Sequence, residues 1–244
     1  MMEPIIHYNR LGIPILEDWE IEEMAYDFVS HVDDTSLKTP CIAPIAGILD
    51  YMENAYNVRM SFHNLGNLDG YKILGRTIFP ANRIYIDMDI IYRQESLFFF
   101  TVAHSIGHWA LHAQQKIMLE NSNRALRVIN DCELDFWGKK GMGTLKDRIE
   151  HQANVFATSL LMPRKTLVTA IMIKQMRMGI TRKAGNIHLN RSKSSIISFN
   201  ETVSYLENIF GMSKQLIILR LKALELLHIS EGEEDENILY TYIA

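Results

Sequence analysis

The stretch FFFTVAHSIGHWALH, Phe98 to His112, decides the fold. It is apolar through most of its length and holds no breaker other than Gly107, so it predicts a buried helix from residue 94 or 95 to about 115. On such a helix His104 and His108 project from one face a turn apart, and both imidazoles reach a single ion. With nine histidines in 244 residues, that spacing alone is a frequent accident. The pair gains meaning only from its surroundings.

The surroundings lie downstream. A helix is predicted from about residue 144 through LKDRIEHQANVFATSLLM, ending where Pro163 stops it. Its spacing puts Glu150, Ala153, Asn154 and Ala157 along one face. Small residues at 153 and 157 would let this helix approach the histidine helix closely, and Glu150 would then supply a third, oxygen ligand. Two histidines and a glutamate on crossed helices, with a fourth position for water, is a known arrangement of catalytic zinc. The opposite reading makes Glu150 a surface carboxylate and Asn154 a cap or solvent contact.

FFFTVAHSIGHWALH followed by EHQANVFATSLLMP resembles the ImmA/IrrE family of metallopeptidases, whose signature is F-T-x-A-H-E-x-G-H followed by E-x-x-A-N-x-F-A-x-x-L-L-M-P. Order, character and separation of the two motifs agree. Weaker similarity extends to the early helices, to the strands before the histidine helix and to the closing FGMSKQLIILRLKAL, with residues 164–200 as a longer insertion. The resemblance implies a zincin-like fold with zinc held by His104, His108 and Glu150. His112, on the same face another turn along, and Asn154 are then positioning or packing residues around the ligands. His151 lies about 100° around its helix from Glu150 and is a ligand only in a different register.

The departure falls at Ser105. There the family carries the glutamate of H-E-x-x-H, the general base that takes a proton from zinc-bound water and delivers it to the leaving amine. A serine hydroxyl is far too weak a base near neutral pH, and too short to span water and substrate. Glu133 and Asp135, in NDCELDFWG between the motifs, are the candidate substitutes, although nothing in the sequence aims either at a metal.

Working outward, the first third predicts helices over about 16–32 and 43–57. YNVRMSF, YKILGRTIFP and NRIYIDMDI then predict short strands of a small sheet, broken at Gly66, Gly70, Gly75 and Pro80. Within the last of these, Ile84, Tyr85 and Ile86 are candidate substrate-binding residues, an edge strand on which an extended peptide would align by backbone pairing. An ordinary edge strand protected by Asp87 and Asp89 is the alternative. Near the end, a helix to Phe210, a turn at Gly211-Met212 and Ser213 as an N-cap predict a helix-turn-helix-like pair. The expected fold class is α+β: a mostly helical zincin-like domain with a small sheet over 1–163, and a C-terminal helical region over 164–244.

A hydrophobic content of 48% is ample for a packed core, and no apolar run approaches the roughly 20 residues that cross a bilayer. The start MMEPIIHYNR lacks the pattern of a signal peptide. With two cysteines, Cys41 and Cys132, and no disulfide framework, a cytoplasmic location is expected. The net charge of −4 hides an acidic stretch over 17–34, a basic stretch over 164–200 free of acids, and an acidic tail. These are solvated or mutually docking faces, or else the basic stretch is a surface for an acidic partner or nucleic acid.

Three functions compete. The preferred one is a pseudopeptidase that keeps fold and zinc but binds a peptide or regulatory protein without cutting it. The second is an active zinc endopeptidase cleaving a transcriptional repressor or similar regulator, as the resemblance implies. The third, a nucleic-acid-linked regulator, would use the basic stretch and a recognition helix starting near Ser213. That helix offers only Lys214, Arg220 and Lys222 among many apolar residues, a composition better suited to burial than to a DNA groove.

Overall fold

The computed structural model describes residues 7–10, 12–113, 127–132, 144–182 and 184–230. They form an α+β fold of two compact units, Met1–Val32 with Pro44–Leu161, and Asp33–Ala43 with Met162–Ala244. No single helix among the described residues is long and apolar enough to cross a membrane.

In the first unit, β1 (His7–Tyr8) and β2 (Pro14–Ile15) form a small antiparallel pair. Helix α1 (Asp18–Ser30) opens on a capping box in which the Glu17 amide donates to the Glu20 carboxylate at 2.8 Å. It buries Ile21, Ala25 and Val29, one stripe at four-residue spacing. Helix α2 (Ile45–Tyr56) turns Ile48 and Met52 inward and stops at Asn57, whose left-handed conformation closes the last turn.

The sheet runs through β3 (Arg59–His63), β4 (Asn67–Leu68), β5 (Tyr71–Ile78), β6 (Arg83–Asp87) and β7 (Val128–Cys132). β3 pairs parallel with β6, while β5 pairs antiparallel with β6, β4 and β7. Asp69 and Gly70, both at positive φ, make the two-residue turn between β4 and β5.

Two expectations are corrected here. Gly75 does not break a strand: it lies inside β5, beside a register shift against β7. Nor is the strand of Ile84, Tyr85 and Ile86 an edge. β6 is bonded to β3 on one side and β5 on the other, so its backbone groups are already used and no peptide can add to it. The edge had to be assigned without knowing that β3 returns parallel to cover it. Asp87, expected to guard that edge, is instead buried and accepts the Leu65 amide at 2.8 Å.

After the short α3 (Ile90–Arg93) comes α4 (Glu95–His112), in which every residue from Phe100 to Trp109 is buried. A helix enclosed on all sides must be covered by several elements. Sheet strands and α5 (Leu145–Leu161) share that task. The approach of α5 is close because Gly107 has no side chain: a Cβ there would stand 3.1 Å from Phe156 Cβ and 3.2 Å from the Ala153 carbonyl oxygen. Ala153 and Ala157 are fully buried, as their small size predicted, and Phe28 packs edge-on against Phe156.

The second unit contains α6 (Arg164–Arg177), β8 (Ile187–Leu189) parallel to β9 (Leu227–Ile229), α7 (Lys193–Phe210) and α8 (Lys214–Ala223). The stretch predicted least clearly is thus regular structure. Ser213 caps α8 by accepting the Leu216 amide, after Gly211 ends α7 at φ 68°. Of the basic residues here, Lys174 pairs with Glu201 at 2.8 Å and Arg177 lies over the Tyr205 ring. Arg220 is 2% exposed and donates to the Met162 carbonyl, so α8 does not present it to a nucleic acid.

Candidate metal centre

Three elements of the first unit converge on one point. Helix α4 contributes His104 and His108, α5 contributes Glu150, and β7 contributes Asp131, with one potential ligand atom from each lying within 4.8 Å of all the others. His104 Nε2 and His108 Nε2 are 2.9 Å apart. Glu150 Oε2 stands 3.2 Å from His104 Nε2 and 3.6 Å from His108 Nε2. Asp131 Oδ1 stands 3.3 Å from His108 Nε2 and 3.9 Å from His104 Nε2. Both histidines and Asp131 are fully buried, and Glu150 nearly so. Among the described residues, Asp131 Oδ1 and Glu150 Oε1 have no hydrogen-bond partner beyond the histidines of the cluster, although both are enclosed. Buried carboxylates in that condition call for a cation, and this cluster could hold a metal ion.

The tautomer of His108 follows from a chain of contacts that has one consistent sense. Gln152 meets the Pro14 carbonyl at 2.7 Å, and a carbonyl only accepts, so the NH₂ of Gln152 faces Pro14. Its Oε1 therefore accepts from His112 Nε2 at 3.0 Å. Neutral His112 is left with a bare Nδ1, which receives the Nδ1–H of His108 at 3.3 Å. When His108 is neutral, its Nε2 lone pair then points into the cluster. Outer contacts of this kind orient metal-binding histidines. His112 thus lies against His108 and Gln152 against His112, a contact the sequence did not point to.

The electrostatics agree. Burial pushes His112 down to about 3, aided by charge on His108, so its neutral form prevails near neutral pH. For His108 burial also acts downward, but the Asp131 and Glu150 carboxylates outweigh it and raise the pKa to about 10. Burial acts to raise Glu150, yet His108 and His104 prevail and hold it well below the usual carboxylate range. Beside the two carboxylates His108 favours its protonated form, and a bound cation would displace that proton.

Ser105, the residue after His104, is fully buried and donates its hydroxyl to Asp131 Oδ2 at 2.8 Å. Gly75, directly across from Asp131 in the β5–β7 pairing, leaves the space: a Cβ there would stand 2.7 Å from both Asp131 Oδ2 and Ser105 Oγ.

Of the other sequence candidates, Asn154 lies a turn beyond Glu150, and its buried Oδ1 has no hydrogen bond among the described residues. His151 points elsewhere and pairs with Asp18 at 2.8 Å. Glu133 and Asp135 lie outside the described residues. Asp131 was missed although it belongs to the same acidic stretch. Strand alternation was the available signal, since it places Asp131 on the face of buried Ile129.

No family model matches this chain, and no curated protein matches it. Among solved structures, a Mycobacterium tuberculosis transcriptional regulator is similar at 11% identity with a TM-score of 0.43. The match covers 85% of this chain and 52% of that one, so this chain spans about half its length. A likeness that loose carries no argument about function.

Proposed function

We propose that this chain is a zinc-binding pseudopeptidase of the ImmA/IrrE type, which holds its metal through His104, His108 and Glu150 and binds a protein or peptide partner in a regulatory role without cutting it. The observation that carries this reading is the state of Ser105. It is buried, and its hydroxyl is committed to Asp131, so the position that should furnish a general base furnishes none. Imidazole and carboxylate donors are the ligand types that zinc accepts. Zinc in such a site polarises a carbonyl and lowers the pKa of bound water, but hydrolysis also needs a group to move the proton.

A partner must be sought away from β6. Among the described residues β3 is paired on one side only, and β6 and β5 stand between it and β7, which carries Asp131. Its Phe62 is substantially exposed. An extended peptide added to β3 would be held by backbone pairing at a distance from the metal.

The competing reading, an active endopeptidase, has one observation in its favour: Asp131 is a carboxylate within reach of the position Ser105 occupies. The deciding experiment is elemental mass spectrometry of protein purified without added metal or chelator, beside His104→Ala, followed by incubation of both with an unstructured peptide library. About one zinc per chain, lost in the variant, with no cleavage by either, is the expected result. Cleavage that disappears in His104→Ala would establish the peptidase instead. Equal emptiness of both proteins would remove the metal.

A further inference from the structure

We infer that Asp131 is a fourth metal ligand, so that the centre is a closed, structural site in which Ser105 positions a ligand. This inference rests on the zinc-binding reading and goes beyond the three ligands that reading names.

Spacing is the first argument. Four ligands at zinc bond lengths of about 2.0–2.1 Å occupy the corners of a tetrahedron with edges of about 3.3 Å. The distances among His104 Nε2, His108 Nε2, Glu150 Oε2 and Asp131 Oδ1 include 2.9, 3.2, 3.3, 3.6 and 3.9 Å. They scatter about that edge, and the remaining pair, Asp131 with Glu150, falls within the 4.8 Å that spans the ligand atoms of the four residues, a spread that suits them to one ion.

Orientation is the second. Asp131 Oδ2 is held from behind by the Ser105 hydroxyl, which turns Oδ1 toward both histidines, 3.3 Å from His108 Nε2 and 3.9 Å from His104 Nε2. Gly75 makes that arrangement possible, because any side chain there would strike both partners. Ligating carboxylates are commonly fixed by such an outer hydrogen bond. A glutamate at 105 would project into the space these two side chains fill. With the shorter Ser105 in that place, Asp131 has room to stand beside the two histidines.

The consequence is chemical. With four protein ligands no corner remains for water or a substrate carbonyl, as in structural zinc sites. The metal then ties β7 to α4 and α5, and its binding energy becomes folding energy.

The test uses the full chain loaded with Co²⁺, whose visible absorption reports coordination, and azide as a probe of an open position. An intense four-coordinate spectrum that azide leaves unchanged is expected of the wild type. Asp131→Ala should give a weaker spectrum that azide shifts, and Ser105→Ala should lower zinc affinity about 10–100-fold. If azide shifts the wild-type spectrum, and Asp131→Asn leaves zinc affinity unchanged, Asp131 is no ligand, while the three-ligand site stands. If wild type takes up no more cobalt than His104→Ala does, both this inference and the zinc reading fall. The wild-type azide measurement needs no variant to fold.

Discussion

Gly75→Ala tests how tightly the centre is enclosed. Replacing a strand glycine by alanine ordinarily stabilises by about 0.5–1 kcal/mol, because the unfolded chain loses freedom. Gly75 sits in β5 without a positive φ, so its backbone allows the change. The added methyl, however, would stand 2.7 Å from Asp131 Oδ2, 2.7 Å from Ser105 Oγ and 3.2 Å from Thr101 Cγ2, and all three side chains are fully buried. Ordinary contact begins at 3.4 Å, so Ser105 or Asp131 must move and their 2.8 Å hydrogen bond must lengthen or break. A buried hydrogen bond to a charged group contributes about 1.5–3 kcal/mol. Offset by the backbone gain, the net cost is about 1–2 kcal/mol, or roughly 2–8 °C in Tm for a chain of this size. Scanning calorimetry with zinc bound, together with zinc affinity from chelator competition, reads both effects, and affinity should fall about tenfold or more as Asp131 loses its orientation. A Gly75→Ala protein at least as stable as wild type, with unchanged zinc affinity, would refute the account of this pocket.

Ser105→Glu alone should not restore hydrolysis: it drives a second carboxylate against buried Asp131, so lower thermal stability and no peptide cleavage are expected, and robust cleavage would contradict the packing. Removing zinc by chelation should lower Tm by roughly 10 °C if free zinc had stood about a thousandfold above Kd, since that excess stabilises by about 4 kcal/mol; an unchanged melting curve would mean that the centre contributes nothing to folding. Asp18→Asn should lower the pKa of His151, which its hydrogen bond to Asp18 raises against the opposing effect of burial. The sign follows: the pair stabilises below the unfolded histidine pKa and fades as pH rises through the folded one, a small effect for a half-buried histidine and an exposed aspartate, best read by NMR titration of the imidazole in both proteins.

By itself the sequence determined the helices and the side chains they aim at one another. The apolar run around His104 and His108 is legible because a helix buried on all sides must be apolar all round. Glu150, Ala153 and Ala157 are legible because a fixed 3.6-residue period puts them on one face, and the ends at Asn57, Gly211 and Ser213 because caps are written in local residue types. Only tertiary structure decided what depends on pairing between distant segments. Strand residues carry no mark of their neighbours, so the parallel return of β3 that made β6 an interior strand could not be read from RIYID. Asp131 looked like any acid in a polar stretch until β7 paired antiparallel with β5 and set it across from Gly75. The meaning of Ser105 changed for the same reason. In the sequence it is a departure from the motif it resembles; in the fold it is a hydrogen-bond donor to a carboxylate 26 residues away, a relation that no local pattern encodes.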